Sequence, residues 1–85
     1  MTKVIIYTTP QCYYCVKAKK LFDKLDVPYL LCDVSEDVDL RKEMLERSGG
    51  RTSVPQIFIG DAHIGGFDDL YALYKAGNLA KHLNH

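Results

Sequence analysis

The 85-residue sequence has no tryptophan, no formal net charge and no apolar run long enough to cross a bilayer. Eleven Lys and Arg balance eleven Asp and Glu, which excludes the strongly basic surface of a nucleic-acid binder or a polybasic membrane-surface protein. The longest apolar run near the start, Val4 to Tyr7, is too short for a membrane span or a signal-peptide core. With no targeting segment in view, a cytoplasmic location is expected. Cysteine is scarce and odd in number, and three cysteines make a poor disulfide framework for a small secreted domain. What remains is a globular balance, 47% hydrophobic and 26% charged, of a length that predicts one domain over residues 1–85. No repeat, low-complexity tract or linker divides it. Charge is uneven along the chain: five lysines face Asp23 and Asp26 before residue 33, whereas Asp33 to Glu46 is acidic and reads as a solvated helix face.

Periodicity supplies the elements. Lys3 to Thr8 is β-branched and aromatic and reads as a buried strand ended by Thr9-Pro10. Cys15, Ala18, Leu21, Phe22 and Leu25 recur at helical spacing with Lys17, Lys20 and Lys24 opposite, predicting a helix over 13–25 that Val27-Pro28 breaks. Tyr29 to Asp33 is a second strand. A second helix over 37–48 turns Leu40, Met44 and Leu45 inward and stops at Gly49-Gly50. Gln56 to Ile59 and Ala62 to Gly65 are short strands around Gly60-Asp61, a two-residue hairpin signal. A last helix begins near Phe67, with Leu70, Leu73 and Tyr74 as its core side, followed by a tail carrying Leu79 and Leu83. The order β-α-β-α-β-β-α predicts an α/β fold. The first two strands should be parallel, and the closing hairpin makes the four-stranded sheet mixed, with helices covering it.

Two cysteines sit as Cys12-Tyr13-Tyr14-Cys15 at the start of a helix that follows a buried strand. There, unpaired N–H groups and the helix dipole favour a thiolate on Cys12, and Cys15 lies one turn on, on the same face. A thiolate attacks a disulfide sulfur through a mixed disulfide, which a neighbouring thiol can resolve. A packed pair of small residues and a zinc site are the alternatives. Zinc would draw on Cys12, Cys15, Cys32 and His63, yet only one pair spacing of metal type is present. Ser53-Val54-Pro55 precedes a strand. It is either an ordinary strand entrance or, with a cis proline, exposed backbone that pairs with an extended peptide. Gly65-Gly66 is a bulge, a turn, or a place where a ligand approaches the backbone. Asp68 and Asp69 are helix-start acids, or one of them meets a ligand amine while helix N–H groups hold a carboxylate.

Three segments taken together resemble the signatures of the glutaredoxin family. They are Tyr7 to Cys15 (YTTPQCYYC), Thr52 to Ile59 (TSVPQIFI) and Ile64 to Leu70 (IGGFDDL), with Arg47 to Arg51 closest to the small bacterial dithiol members. The resemblance implies a thioredoxin fold and glutathione-dependent reduction of protein disulfides and protein–glutathione mixed disulfides. By position it makes Cys12 the nucleophile and Cys15 the resolving thiol. Tyr14, Ser53, Val54, Pro55, Gly66, Asp68 and Asp69 become the glutathione contacts, with Val54 pairing main chain to main chain before a cis Pro55. Partners are then glutathione and disulfide-bonded or glutathionylated proteins, with no nucleic acid or membrane, and the chain acts as a monomer. The missing tryptophan counts against a thioredoxin served by its own reductase.

Three departures stand out. Members of the family usually carry Lys where this chain has Thr9, so the glycine carboxylate of glutathione is left to Thr9, Lys42 or Arg51. Tyr13 replaces the proline of the commonest dithiol motif, and Phe67 replaces a frequent cysteine. Some members without that proline bind a [2Fe–2S] cluster between two subunits, with the first thiolate of each and two glutathiones as ligands. Cys12 would be the ligand here, an alternative function set against the bulk of Tyr13. No resident metal is otherwise expected. Cys32 reads as a buried filler, His63 as a surface strand residue, His82 and His85 as residues of a polar tail, and Tyr71 and Tyr74 as helix packing.

Overall fold

A computed structural model describes residues 2–83; Met1, Asn84 and His85 lie outside the described residues. Strand β1 (Val4–Thr8) is followed by helix α1 (Tyr13–Lys24), β2 (Leu30–Asp33), α2 (Val38–Arg47), the hairpin β3 (Gln56–Ile59) and β4 (Ala62–Gly65), then α3 (Phe67–Lys75) and α4 (Leu79–Leu83). The sheet order is β2-β1-β3-β4. β1 runs parallel to β2 and antiparallel to β3, and β3 runs antiparallel to β4, as the crossover and the hairpin demand.

The two central strands are covered on both faces, which is why they read as continuous apolar runs. Val4 and Ile6 of β1 and Ile57 and Ile59 of β3 join Ala18, Leu21 and Phe22 of α1, Leu70 of α3 and Leu79 of α4 in one buried cluster. The opposite faces supply Tyr7 and Phe58, which pack with Val34 and with Met44 of α2. The Tyr7 ring meets Phe58 edge-on at 5.6 Å. Its hydroxyl donates to the Glu43 carboxylate and accepts from Arg47 Nη1 at 3.0 Å, so a buried phenol keeps its polar end satisfied. β2 forms an edge: Leu30 and Leu31 are exposed.

Caps fix the helix ends. Asp37 accepts from the Leu40 N–H at 3.0 Å and starts α2. α1 stops one residue earlier than its periodicity predicts, and proline is not the immediate cause. Asp26 adopts a left-handed φ of 57°, and Val27 N–H returns to Phe22 C=O at 2.9 Å, a Schellman-type ending on a non-glycine residue. Gly77, at φ 75°, ends α3 in the same way, with Asn78 N–H on Leu73 C=O.

The segment predicted as a tail is in part a helix. α4 places Leu79 in the core and packs Leu83 against it, so burial of two leucines one turn apart overrides the expectation of an irregular end. His82 is half-buried on α4, and His85 lies outside the described residues. Tyr71 is exposed and packs on the rings of its own helix, Phe67 and Tyr74, whereas Tyr74 also packs on the core. Leu40 and Leu45 are half-buried, leaving Met44 the residue of α2 that is buried outright. Truncating Phe22, fully buried in the larger cluster, should cost about 3–5 kcal/mol of folding free energy. Asp37→Ala should cost about 1 kcal/mol. Urea unfolding of the two variants beside the parent checks both magnitudes and their order.

Candidate functional site

β1 and β3 lie side by side and antiparallel, with Tyr7 opposite Gln56. The loop leaving β1 and the loop entering β3 therefore emerge at the same end of the sheet. Cys12 occupies the N-cap of α1 in extended geometry, φ −124° and ψ 111°, and its sulfur accepts from the Cys15 N–H at 3.2 Å. Across the gap the same sulfur reaches the Val54 carbonyl oxygen at 3.6 Å. Cys12 is thus a helix cap whose acceptor atom is sulfur, and charge developing there meets a backbone donor.

The partner cysteine differs in kind. Cys15 is buried, and burial, reinforced by its hydrogen bond to Cys12, holds its thiol pKa above the ordinary value. All three cysteines are free thiols. Cys32 is half-buried on the edge strand rather than fully packed away. Burial and the nearby Glu43 carboxylate push its pKa up as well.

Beside Cys12 lies a cleft of about 190 Å³ lined by Tyr14, Arg51, Ser53, Val54, Pro55, Gly66, Phe67, Asp68 and Asp69. The Val54–Pro55 bond is cis, as the resemblance implies. The seven residues that the resemblance makes glutathione contacts, Tyr14, Ser53, Val54, Pro55, Gly66, Asp68 and Asp69, all line this one space. Thr9 and Lys42 do not: Thr9 belongs to the loop before Cys12, and Lys42 stands exposed on α2. Arg51 is the cation that does line it.

The far wall has its own construction. β4 bulges where Ile57 pairs with Gly65 and Phe58 with His63, leaving Ile64 as the extra residue. Gly65 takes φ +115°, and a Cβ there would stand 2.3 Å from Asp69 Oδ2, so both backbone and space require glycine. That carboxylate accepts from the Gly66 N–H at 3.1 Å, reaching back from the first turn of α3 to its cap residue. Asp69 is therefore engaged with its own helix start. Asp68 is exposed and, among the described residues, its carboxylate makes no hydrogen bond or ion pair.

Sequence reasoning missed a buried polar chain behind the cleft. Gln56 is fully buried, and its amide nitrogen donates to Ser53 C=O at 2.9 Å and to Ser53 Oγ at 3.2 Å. With the amide nitrogen so occupied, Gln56 Oε1 is the acceptor facing His63 Nε2 at 2.8 Å. His63 then donates from Nε2, so its neutral form here is the Nε2–H tautomer. The ring also stacks on Phe58 at 4.8 Å, so His63 is a half-buried strut and not a surface residue. Burial first, and then the Arg51 charge, lower its pKa, while Asp69 opposes them. The signal available in advance was the pairing of a polar residue in an apolar strand with a histidine across a hairpin.

A family model described as glutaredoxin matches residues 4–64. Glutaredoxin 1 of Rickettsia prowazekii is 49% identical over 83 residues, covering 96% of this chain and 87% of that protein. The solution structure of a glutaredoxin from Brucella melitensis is 51% identical at a TM-score of 0.83, covering 98% of this chain and 89% of its own. A crystal structure of a buckwheat glutaredoxin–glutathione complex is 30% identical at a TM-score of 0.85, covering 96% and 76%. The four-stranded mixed sheet with helices on both faces is the thioredoxin fold of these structures, and the family matched is one of thiol–disulfide oxidoreductases. The chain belongs to the glutaredoxin family, the glutathione-dependent branch of that class. Among the described residues no helix is long and apolar enough to cross a membrane.

Two pH effects follow. Because Cys15 and Cys32 hold their protons more tightly than an ordinary thiol, iodoacetamide at pH 7.5 should label Cys12 first. The other two should react appreciably only well above the ~8.5 of a free cysteine. Peptide mass spectrometry across a pH series reads this directly, and equal labelling of Cys12 and Cys15 at neutral pH contradicts it. For His63 the folded-state pKa is depressed, so its stabilising contribution is present above the unfolded value of ~6.5 and is lost as pH falls below it. His63→Gln should therefore lose less stability than the parent between about pH 6.5 and 5. Thermal melts of both proteins at the two pH values decide, and equal losses refute the assignment.

Proposed function

We propose that this chain reduces glutathione mixed disulfides and protein disulfides, with Cys12 as nucleophile, Cys15 as resolving thiol and the adjoining cleft as the seat of glutathione. The observation that supports this most directly is the position of the Cys12 sulfur. It stands between the Cys15 N–H and the Val54 carbonyl at the edge of the cleft, while Cys15 is buried.

In the first step the Cys12 thiolate attacks the glutathione sulfur of a protein–glutathione disulfide. The old S–S bond breaks, a new one joins Cys12 to glutathione, and the protein sulfur leaves as a thiolate that takes a proton from water. A second glutathione thiolate then attacks the bound glutathione sulfur. Oxidised glutathione departs and the Cys12 thiolate is restored. Cys15, kept protonated by burial, stands aside in this route. With a protein disulfide, Cys12 forms a mixed disulfide with one protein sulfur. Cys15 loses its proton as it attacks Cys12, the protein's second thiol is released, and two glutathiones later reduce the Cys12–Cys15 bond.

Glutathione carries two carboxylates and one amine, and the cleft offers complementary groups. Val54 supplies main-chain polar atoms beside Cys12, and Tyr14 and Pro55 supply apolar walls. Ser53 and Gly66 supply the rim, and Asp68 a carboxylate for the amine. Asp69 holds the Gly66 turn in shape, and Arg51 is the group we assign to a carboxylate in place of Lys42 or Thr9. An odd, small number of cysteines suits the reducing cytoplasm, where we place the protein as a monomer. A [2Fe–2S] role would use the same Cys12 sulfur. Among the described residues no three His, Cys, Asp or Glu side chains gather as ligands, so the other thiolates would come from glutathione and a second copy.

Cys12→Ser should abolish turnover in an assay coupling glutathione and glutathione reductase to a small glutathione mixed disulfide. Cys15→Ser should keep most of that activity but lose reduction of an intramolecular protein disulfide. Equal loss in both variants on the mixed disulfide would overturn the division of labour.

A further inference from the structure

Four aromatic rings run in sequence from the reactive loop across to α3. Tyr13, next to Cys12, meets Tyr14 at 5.3 Å, Tyr14 meets Phe67 at 6.3 Å, and Phe67 meets Tyr71 at 5.6 Å. The last two contacts are stacked, at 27° each. Tyr13, Tyr14 and Tyr71 are 69%, 51% and 43% exposed and Phe67 between them is half-buried, so three of the four rings are open to solvent. Scattered exposed aromatics need no explanation, but a contiguous row beside a reactive sulfur marks a contact surface. The Lys17 ammonium lies over three of the rings, at 5.3 Å from Tyr13, 5.8 Å from Tyr14 and 5.1 Å from Phe67. Among the described residues no carboxylate pairs with it. Lys75 sits over Tyr71 at 5.9 Å and adds a second positive charge at the far end.

We infer that this shelf, Tyr13, Tyr14, Phe67 and Tyr71 with Lys17 at its centre, receives the polypeptide half of the substrate disulfide and favours acidic and apolar residues beside the reacting cysteine. The inference rests on the thiol chemistry proposed above and extends it to the choice of substrate. Two bodies meet at Cys12 in that chemistry, and the cleft, whose lining we assign to glutathione, is taken by the small one. The polypeptide must leave across the cleft's rim. Tyr14 and Phe67 belong to both the cleft and the shelf, so on that side the path runs over the rings. The charge there selects the sign of the partner. Asp68 and Asp69 line the cleft and Asp23 is engaged by the Tyr29 hydroxyl, so the charges lying on the rings themselves are those of Lys17 and Lys75. Rings already stacked on one another lose little freedom when covered, which suits them as anchors.

The test uses the full chain and two glutathionylated peptides that differ only in having Glu or Lys on each side of a Leu-Cys core. A small uncharged glutathione mixed disulfide is the control. At low salt, kcat/KM for the Glu peptide should exceed that for the Lys peptide by about tenfold, a preference that shrinks in 0.5 M NaCl (a concentration of about that size screens within a few ångströms). Lys17→Glu should reverse the preference and Lys17→Gln should cancel most of it. Tyr71→Ser should slow both peptides about threefold or more, as loss of an aromatic anchor does, with the small disulfide turned over as by the parent. No preference in the parent, or a preference that survives in well-folded Lys17→Glu and Lys17→Gln, would overturn the shelf. Failure of the parent on the small disulfide would instead bring down the thiol chemistry beneath it.

Discussion

The register of β1 against β3 is the constraint on which the rest of the site depends. Tyr7 opposite Gln56 sets the chain that leaves β1 beside the chain that enters β3. The Cys12 sulfur and the Val54 carbonyl meet only because those two exits coincide. A slip of one residue would turn Ile6 and Ile57 out of the larger core cluster and Tyr7 and Phe58 out of the smaller one, so the core enforces the register from both faces. Stability and chemistry are thus coupled through the same strand pair. The hydrophobic burial that fixes the sheet is also what holds two loops within contact of one sulfur.

The remaining wall depends on a second local condition, the glycine at position 65. Its positive φ and the Asp69 carboxylate packed against it let β4 bulge and pass directly into α3. Asp69 then accepts from the N–H of Gly66, the cap residue of that helix. One carboxylate therefore serves a backbone turn, a helix start and the shape of the cleft. Behind the opposite wall the buried Gln56 amide ties Ser53 to His63, and so ties the loop before β3 to β4. Both walls are braced by polar groups whose hydrogen bonds are satisfied. Among the described residues no buried side-chain nitrogen or oxygen lacks a partner.

Much of this was legible in the chain because each element carries its own period and punctuation. Asp37 and Gly49-Gly50 bracket α2 almost to the residue, and Gly60-Asp61 marks the hairpin. What escaped was decided by tertiary contact. The α1 ending falls to a left-handed Asp26, a conformation that aspartate adopts but does not announce. α4 exists because Leu79 and Leu83 find apolar neighbours on α1 and α3, which no local pattern of five residues reveals. His63 looked solvated because β4 alternates weakly, and its burial comes from Phe58 on the neighbouring strand. Lys42 and Arg51 were equivalent as cations until the fold placed one on the outer face of a helix and the other beside Ser53.

The two sulfurs illustrate how one short motif produces opposite environments. Three residues apart on a helix, Cys12 and Cys15 fall on the same side. Cys12, however, precedes the first turn and Cys15 lies inside it. The cap position leaves Cys12 partly open, with a backbone N–H directed at its sulfur and a cleft alongside. One turn further, the helix meets the core and Cys15 is sealed, its thiol held in the protonated form. In the chemistry we propose, that difference ranks the two thiols without any charged side chain at position 9. A sealed Cys15 whose proton is held more tightly offers less thiolate for attack on a glutathione-bound Cys12 than an open thiol would. In that proposed chemistry burial of Cys15 weights the balance toward the glutathione route, and the helix register that buries it is fixed by Ala18, Leu21 and Phe22 on the same face.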